Sequence, residues 1–416
     1  MKYKSNAYTP SANNPPFWSR EFSLLLAGTL ALLLSACGGG DGGNNGTASA
    51  NKSQCTLSQA QIDTLTPDDV LPANCDFLKV PPIVGLFMLG TEIDVDTGNL
   101  KLYVNGVKRN GEPMTLEEDF KNAEIKVGGV TTTDWEVSAA SGDVLSLVTL
   151  ADYSSSISLA DLKGMGDLYD IVLENAPTGF EAETINFSTN PEAPYLVVKP
   201  GELPHWTTEL NDLPGRPGLL SANDYDDDFP NNNTPLYAAM ATGLMGPLDD
   251  AGNVSPGDRL GLVERNNLDN PPATHRPATL MVVQTDGLDN ASNLASPTPI
   301  TEDQVVSLMD RCNTTAIMLG TFLADGDATQ IIEGQAVLKR LAGDRGAFVN
   351  GLNASFLKAA ITPFAQSLGN LVVFTLSPAN IPFAEEIVTI EVDNLARDAK
   401  KPFDIPPDCQ VPGWDG

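Results

Sequence analysis

Histidine and positive charge are scarce in this chain. Only His205 and His275 occur in 416 residues. That disfavours a His-based zinc centre and a His-driven catalytic triad. Lys and Arg number 24 against 54 Asp and Glu, a formal net charge of -30. Phosphate recognition needs clustered Lys and Arg, so charge alone argues against a nucleic-acid partner. No two cysteines have CxxC spacing, which leaves a thiolate metal site without its usual framework. What is present is a globular composition, 42% hydrophobic and 19% charged, in a chain long enough for two or three domains. The acidic balance suits cation binding or an extracytoplasmic setting.

The first forty residues set the compartment. Lys2, Lys4 and Arg20 precede an apolar run from Phe22 that ends at Leu34-Ser35-Ala36-Cys37. About 15 apolar residues are too few for a membrane span and right for a signal segment. Small residues before a cysteine at the end of such a run resemble a bacterial lipobox, which implies cleavage after residue 36 and lipidation of Cys37. A plain secretory signal with a chance cysteine is the alternative. Gly38, in place of Asp, implies the outer membrane by resemblance to enterobacterial lipoproteins. Residues 38–50 are Gly-, Asn- and Ser-rich and read as a tether, within a segment 37–75 that also holds Cys55 and Cys75. With Cys312 and Cys409 these make four further cysteines. In an oxidising compartment they suggest two disulfides, Cys55–Cys75 with Cys312–Cys409 or another of the three connectivities.

From 76 to 143 the period is two. Thr91 to Gly106 alternates apolar and polar residues on both sides of Asp96-Thr97-Gly98-Asn99, a hairpin signal. Ala123 to Gly129 and Thr133 to Ser138 continue the alternation, and the segment is expected to be a small antiparallel β-sandwich. From 144 the pattern changes. Val144 to Ala151 reads as a continuous apolar run and Ala278 to Thr285 as another apolar strand, as expected for central parallel strands. Helical spacing follows at Leu159, after Pro235, from Glu302 to Arg311, from Gln335 to Ala342 and from Ala354 to Ser367. Short strands are expected at Glu183, Thr315 and Ala347. The expected fold over 144–370 is α/β, a doubly wound, mostly parallel sheet. Residues 371–416 hold two more strand patterns, which the β-sandwich is the obvious sheet to accept, and an irregular Pro-rich end.

Two of the buried strands end in aspartate, Asp152 and Asp286. In doubly wound sheets ligands sit beyond such ends, where strand order reverses. Asp152, Ser154 and Ser156 occupy alternate positions of one loop. Thr234 precedes Pro235 at a helix start. Two carboxylates and three hydroxyls are hard oxygen donors, suited to Mg²⁺, Mn²⁺ or Ca²⁺. Asp289 and Asn290 follow closely enough to support them. Asp224 to Asp228 is either a solvated acidic loop or a second cation site.

Asp152-x-Ser154-x-Ser156, then Thr234 in Asn-Thr-Pro-Leu-Tyr, then Asp286 in Val-Val-Gln-Thr-Asp-Gly resemble, in this order, the von Willebrand factor A domain and its metal-ion-dependent adhesion site. The resemblance covers roughly 143–370 and departs from the family at Ser155, where a glycine is usual. It implies a divalent cation, Mg²⁺ first, held by Asp152, Ser154, Ser156, Thr234 and Asp286. It also implies an open coordination position for a carboxylate from a protein or peptide partner. The expected protein is therefore a non-enzymatic, lipid-anchored binding module of the cell envelope, in adhesion or envelope assembly. A metal-dependent hydrolase and a structural lipoprotein with a vestigial site are the competing readings. No general base with a positioned partner stands in the sequence to favour the hydrolase.

Overall fold

The computed structural model describes residues 83–94, 96–154, 159–188, 233–245, 276–290, 300–311, 314–321, 328–351, 353–377 and 387–399, with Ile157, Ser292 and scattered positions from 57 to 72. All belong to one compact unit, 52–416. The expected signal segment, the tether, all five cysteines, Ser155, Ser156, both histidines and the acidic loop 224–228 lie outside the described residues.

Thirteen described strands form two sheets. In chain order they are β1 (Gly85–Ile93), β2 (Leu100–Val107), β3 (Glu124–Val127), β4 (Val130–Thr132), β5 (Trp135–Ala139), β6 (Leu145–Asp152), β7 (Glu181–Phe187), β8 (Ala278–Thr285), β9 (Thr315–Thr321), β10 (Ala347–Gly351), β11 (Val372–Leu376), β12 (Val388–Val392) and β13 (Leu395–Ala399). The helices are α1 (Leu159–Asn175), α2 (Leu236–Met245), α3 (Glu302–Arg311), α4 (Ala328–Ala342) and α5 (Ala354–Leu368).

Five parallel strands run in the order β7-β6-β8-β9-β10. The chain starts at β6, steps outward to β7, then returns across β6 to β8 and moves the other way. Strand order therefore reverses between β6 and β8, which places the ligand crevice of this topology at the C-terminal ends of those two strands. Both strands are buried along their whole length. Their alternate residues feed two cores. Leu147, Leu280 and Val282 pack with α1 and α5, whereas Val148, Leu150, Met281 and Val283 pack with α2, α3 and α4.

Local chemistry fixes the helix ends. Asn353 accepts hydrogen bonds from the Ser355 and Phe356 amides, at 2.9 and 3.2 Å, and so caps α5. Thr301 and Gln304 form a capping box before α3, with Gln304 Oε1 accepting from the Thr301 amide at 2.8 Å. Helix α4 begins at Ala328, about two turns before the helix that spacing alone gives from Gln335. Gly334 interrupts the apolar pattern there, yet it lies inside the helix, where its bare backbone meets the turn at Gly287.

The antiparallel strands are not a separate β-sandwich appended to the α/β body. β1 pairs with β2, β2 with β11 and β11 with β5, and β1 joins β8 at Gly90↔Ala278, so one nine-stranded sheet contains both halves. The second sheet, β13-β12-β3-β4, covers the antiparallel half. Between the two sheets lies a third core of Leu86, Leu102, Val104, Phe120, Ile125, Phe374 and Ile390. The opposite face of the same strands belongs to the α1–α5 core, where Phe87 meets Phe364 edge-on with ring centroids 5.0 Å apart. Of the three described strands of the C-terminal segment, β11 and β12 pair with strands from 100–139 and β13 pairs with β12, which makes the antiparallel layer discontinuous in sequence.

Gly90 is the close point of the seam. A Cβ built there would lie 2.0 Å from the Pro277 carbonyl oxygen and 2.8 Å from the Ala278 Cα, both backbone atoms that cannot rotate away. Gly90→Ala is expected to lower stability by about 2 kcal/mol or more, the scale of an overpacked interior. Chemical denaturation measures it, and an unchanged midpoint would show that the seam is loose.

Candidate metal site

Asp152 is the last residue of β6 and is fully buried. The parallel register brings Ala151 opposite Gln284, so the next pair along is Asp152 and Thr285. Thr285 Oγ1 donates to Asp152 Oδ2 at 2.7 Å, and the Ser154 amide donates to Asp152 Oδ1 at 2.8 Å. The turn is held from β7 as well, because the Tyr153 amide donates to the Phe187 carbonyl at 2.9 Å. Ser154 is fully buried beside the carboxylate.

Asp286 follows β8 directly and is 8% exposed. Its Oδ1 accepts from the Leu288 amide at 3.1 Å. Gly287 has a φ of 80°, and a Cβ there would lie 2.7 Å from the Gly334 carbonyl oxygen of α4. Only glycine fits that turn, and the turn is what sets Asp286 at the strand end.

Thr234 is buried and is tied to the same loop by two hydrogen bonds. Its amide donates to Asn290 Oδ1 at 2.7 Å, and the Asn290 amide donates back to the Thr234 carbonyl at 3.1 Å. Asp289 Oδ2 accepts from the Tyr237 amide at 2.9 Å, and Ser292 Oγ accepts from the Ala238 amide at 2.9 Å. The open amides at the start of α2 are thus satisfied by the loop that carries Asp286, which fixes Thr234 relative to that loop.

The structure therefore brings Asp152, Ser154 and Asp286 to neighbouring strand ends and ties the Thr234 segment to the Asp286 loop. Ser156 lies outside the described residues. Sequence reasoning passed over Thr285, Ser292 and Gly287. Thr285 ends β8, and its register with Asp152 on the same face emerges only from the pairing of the two strands.

Burial pushes the Asp152 carboxyl up to about 7, and the charge of Asp286 adds to the rise. Hydrogen bonds from Thr285 and Ser154 oppose it without cancelling it. Two buried carboxylates that repel each other, beside neutral hydroxyls, suit a cation. The donors are hard oxygens, which fits Mg²⁺, Mn²⁺ or Ca²⁺ and not a soft metal. No cluster of three or more His, Cys, Asp or Glu forms among the described residues, so a site here rests on two carboxylates and hydroxyls.

No family model matches the chain, and no curated protein matches it. Solved structures do. A variant of the PilB minor pilin from Streptococcus sanguinis matches at 10% identity and a TM-score of 0.33, over 69% of this chain and 78% of that one. A von Willebrand factor type A protein from Catenulispora acidiphila matches at 9% and 0.31, over 77% and 69%. The manganese-loaded TRAP protein of Plasmodium vivax matches at 13% and 0.30, over 64% and 82%. TM-scores near 0.3 leave the functional reading to the residues and strand order of this chain.

The pH dependence of the metal-free protein follows from Asp152. Its folded value, about 7, lies above the ordinary 3.8, so the folded state holds the proton more tightly than the unfolded chain. The resulting stabilisation is full below about pH 4 and is lost as pH rises through 7, about 4 kcal/mol in all. Asp152→Asn, which needs no proton, should flatten that slope and stabilise the metal-free protein at pH 8. Denaturant titrations from pH 5 to 8 check this, and parallel slopes for the two proteins would contradict it.

Proposed function

We propose that this protein is a lipid-anchored, extracytoplasmic binding module of the von Willebrand factor A type, which recognises a carboxylate on a protein or peptide partner. The carrying observation is the burial of Asp152 and Asp286 together at the strand-order reversal. In this reading Asp152, Ser154, Ser156, Thr234 and Asp286 hold a divalent cation, Mg²⁺ first. The bound cation would supply a positive centre, neutralised only in part by two carboxylates, that accepts a further anion. Thr285 and the Ser154 amide orient the Asp152 oxygens, and Asn290 and Asp289 hold the Thr234 segment in place. The lipid anchor at Cys37, through the lipobox-like run before it, would put the module on the envelope, in the outer membrane by the residue that follows. Adhesion or envelope assembly is the role that a carboxylate-seeking module on such a tether performs.

A metal-dependent hydrolase would need a base placed beside the cation. The described carboxylates at the strand ends are both committed to the site itself, which favours the binding role.

Two measurements test the reading. Mg²⁺ or Mn²⁺ at a hundredfold excess over its Kd should stabilise the wild type by about 2.7 kcal/mol and leave Asp152→Ala unmoved. A cation-independent wild type would mean a vestigial site. A pull-down from envelope extract should recover a partner with Mg²⁺ and lose it with chelator or with Asp286→Ala. Equal recovery in all three would contradict metal-mediated recognition, and turnover of ester, phosphate or peptide substrates that vanishes in Asp152→Ala would favour the enzyme. Palmitate labelling that persists in Cys37→Ala would remove the anchor from the proposal.

A further inference from the structure

A groove of about 480 Å³ opens between α3 and the C-terminal end of α4. Its volume falls in the range of small-molecule sites, and none of the candidate metal ligands lines it. Met309 and Leu341 supply apolar wall, and Lys339, Arg340 and Arg345 bring three cations to it beside the carboxylates of Glu302, Asp303, Asp310 and Asp344. Two of the three are engaged. Arg340 makes a two-pronged ion pair with Glu302, Nη2 to Oε2 at 2.9 Å and Nε to Oε1, and the Tyr237 hydroxyl joins Glu302 at 3.3 Å. The Lys339 ammonium lies over the Phe348 ring, 5.7 Å from its centroid.

Arg345 is different. It sits partly buried in the turn between α4 and β10 and forms no ion pair or side-chain hydrogen bond among the described residues. The nearest charges pull in opposite directions: Asp310 favours its cation and Arg397 opposes it. Arg397 is itself partly buried and is held by a 2.7 Å hydrogen bond from Nε to the Leu86 carbonyl. Burial lowers the pKa of both arginines. A guanidinium does not deprotonate in a protein, so a desolvated one seeks an anion instead. Its planar fork of donors matches the paired oxygens of a carboxylate or phosphate.

We propose that the α3–α4 groove binds an oxyanion, with the Arg345 guanidinium as its anchor and Thr314 as a hydroxyl on its wall. The ligand is a small carboxylate or phosphate compound that enters with its charged end toward Arg345. The site is independent of the candidate metal residues and needs no cation.

Equilibrium dialysis of the full chain in metal-free buffer tests it, with labelled inorganic phosphate in one arm and labelled acetate in the other, at constant ionic strength. The net negative charge of the chain keeps non-specific anion uptake low, so a site shows as one saturable equivalent. The arm that saturates identifies the oxyanion. Arg345→Gln should weaken that binding about tenfold or more, the scale of a lost charge-assisted pair. Asp310→Asn, which removes the negative charge facing Arg345, should tighten it and serves as the test if Arg345→Gln does not fold. Failure of both anions to saturate, unchanged affinity in Arg345→Gln, or no tightening in Asp310→Asn would each overturn the assignment.

Discussion

Two negative charges are kept out of water at the ends of adjacent strands, and the rest of the site is arranged around that fact. Asp152 is fully buried and Asp286 nearly so. Carboxylates buried in such a place either take up a proton or are relieved by a counter-charge. The raised pKa of Asp152 is the first of these outcomes in the absence of a cation. The hydroxyl and amide that Asp152 accepts from are neutral, so they orient the carboxylate without discharging it. A cation is the one partner that would relieve both acids at once, which is why the pair reads as a site and not as a structural ion pair.

The scaffold explains why the acids stay there. Strand order reverses between β6 and β8, which opens a crevice beyond their C-terminal ends. Gly287 allows the loop after β8 to lie close against α4, at the Gly334 backbone and the Leu338 side chain. Asn290, Asp289 and Ser292 then hold the first turn of α2 to that loop. Each contact converts a sequence distance of some fifty residues into a fixed spatial relation, and together they make the cluster part of the core. The seam at Gly90 does the same for the antiparallel half, which shares one sheet and one core with the parallel half.

Much of this was legible in the sequence, for physical reasons. Mainly apolar, β-branched-rich runs at Val144–Ala151 and Ala278–Thr285 fit strands buried on both faces, and each stops at an acid. The side chains at those stops are therefore near the crevice before any contact is known. What could not be read was long-range. The join of β1 to β8 rests on one bridging pair, Gly90↔Ala278, and leaves no local periodicity, so the antiparallel layer looked like a separate module. Gly334 reads as a helix boundary on propensity, whereas tertiary contact with Gly287 makes it an interior residue. Thr285 was passed over because its importance lies in its register with Asp152, which appears only when the two strands are paired. Arg345 gave no signal at all, since an arginine in a Gly-Asp-Arg-Gly turn is ordinarily solvated.

The most direct test is the direct binding of a cation. Mn²⁺ titrated into the wild-type protein at pH 7.5 and followed by the loss of the free-ion electron paramagnetic resonance signal should show one bound ion per chain, displaced by Mg²⁺, and Asp286→Ala should show none. A wild type that leaves the free-ion signal untouched, or an Asp286→Ala protein that binds as well as the wild type, would contradict the account.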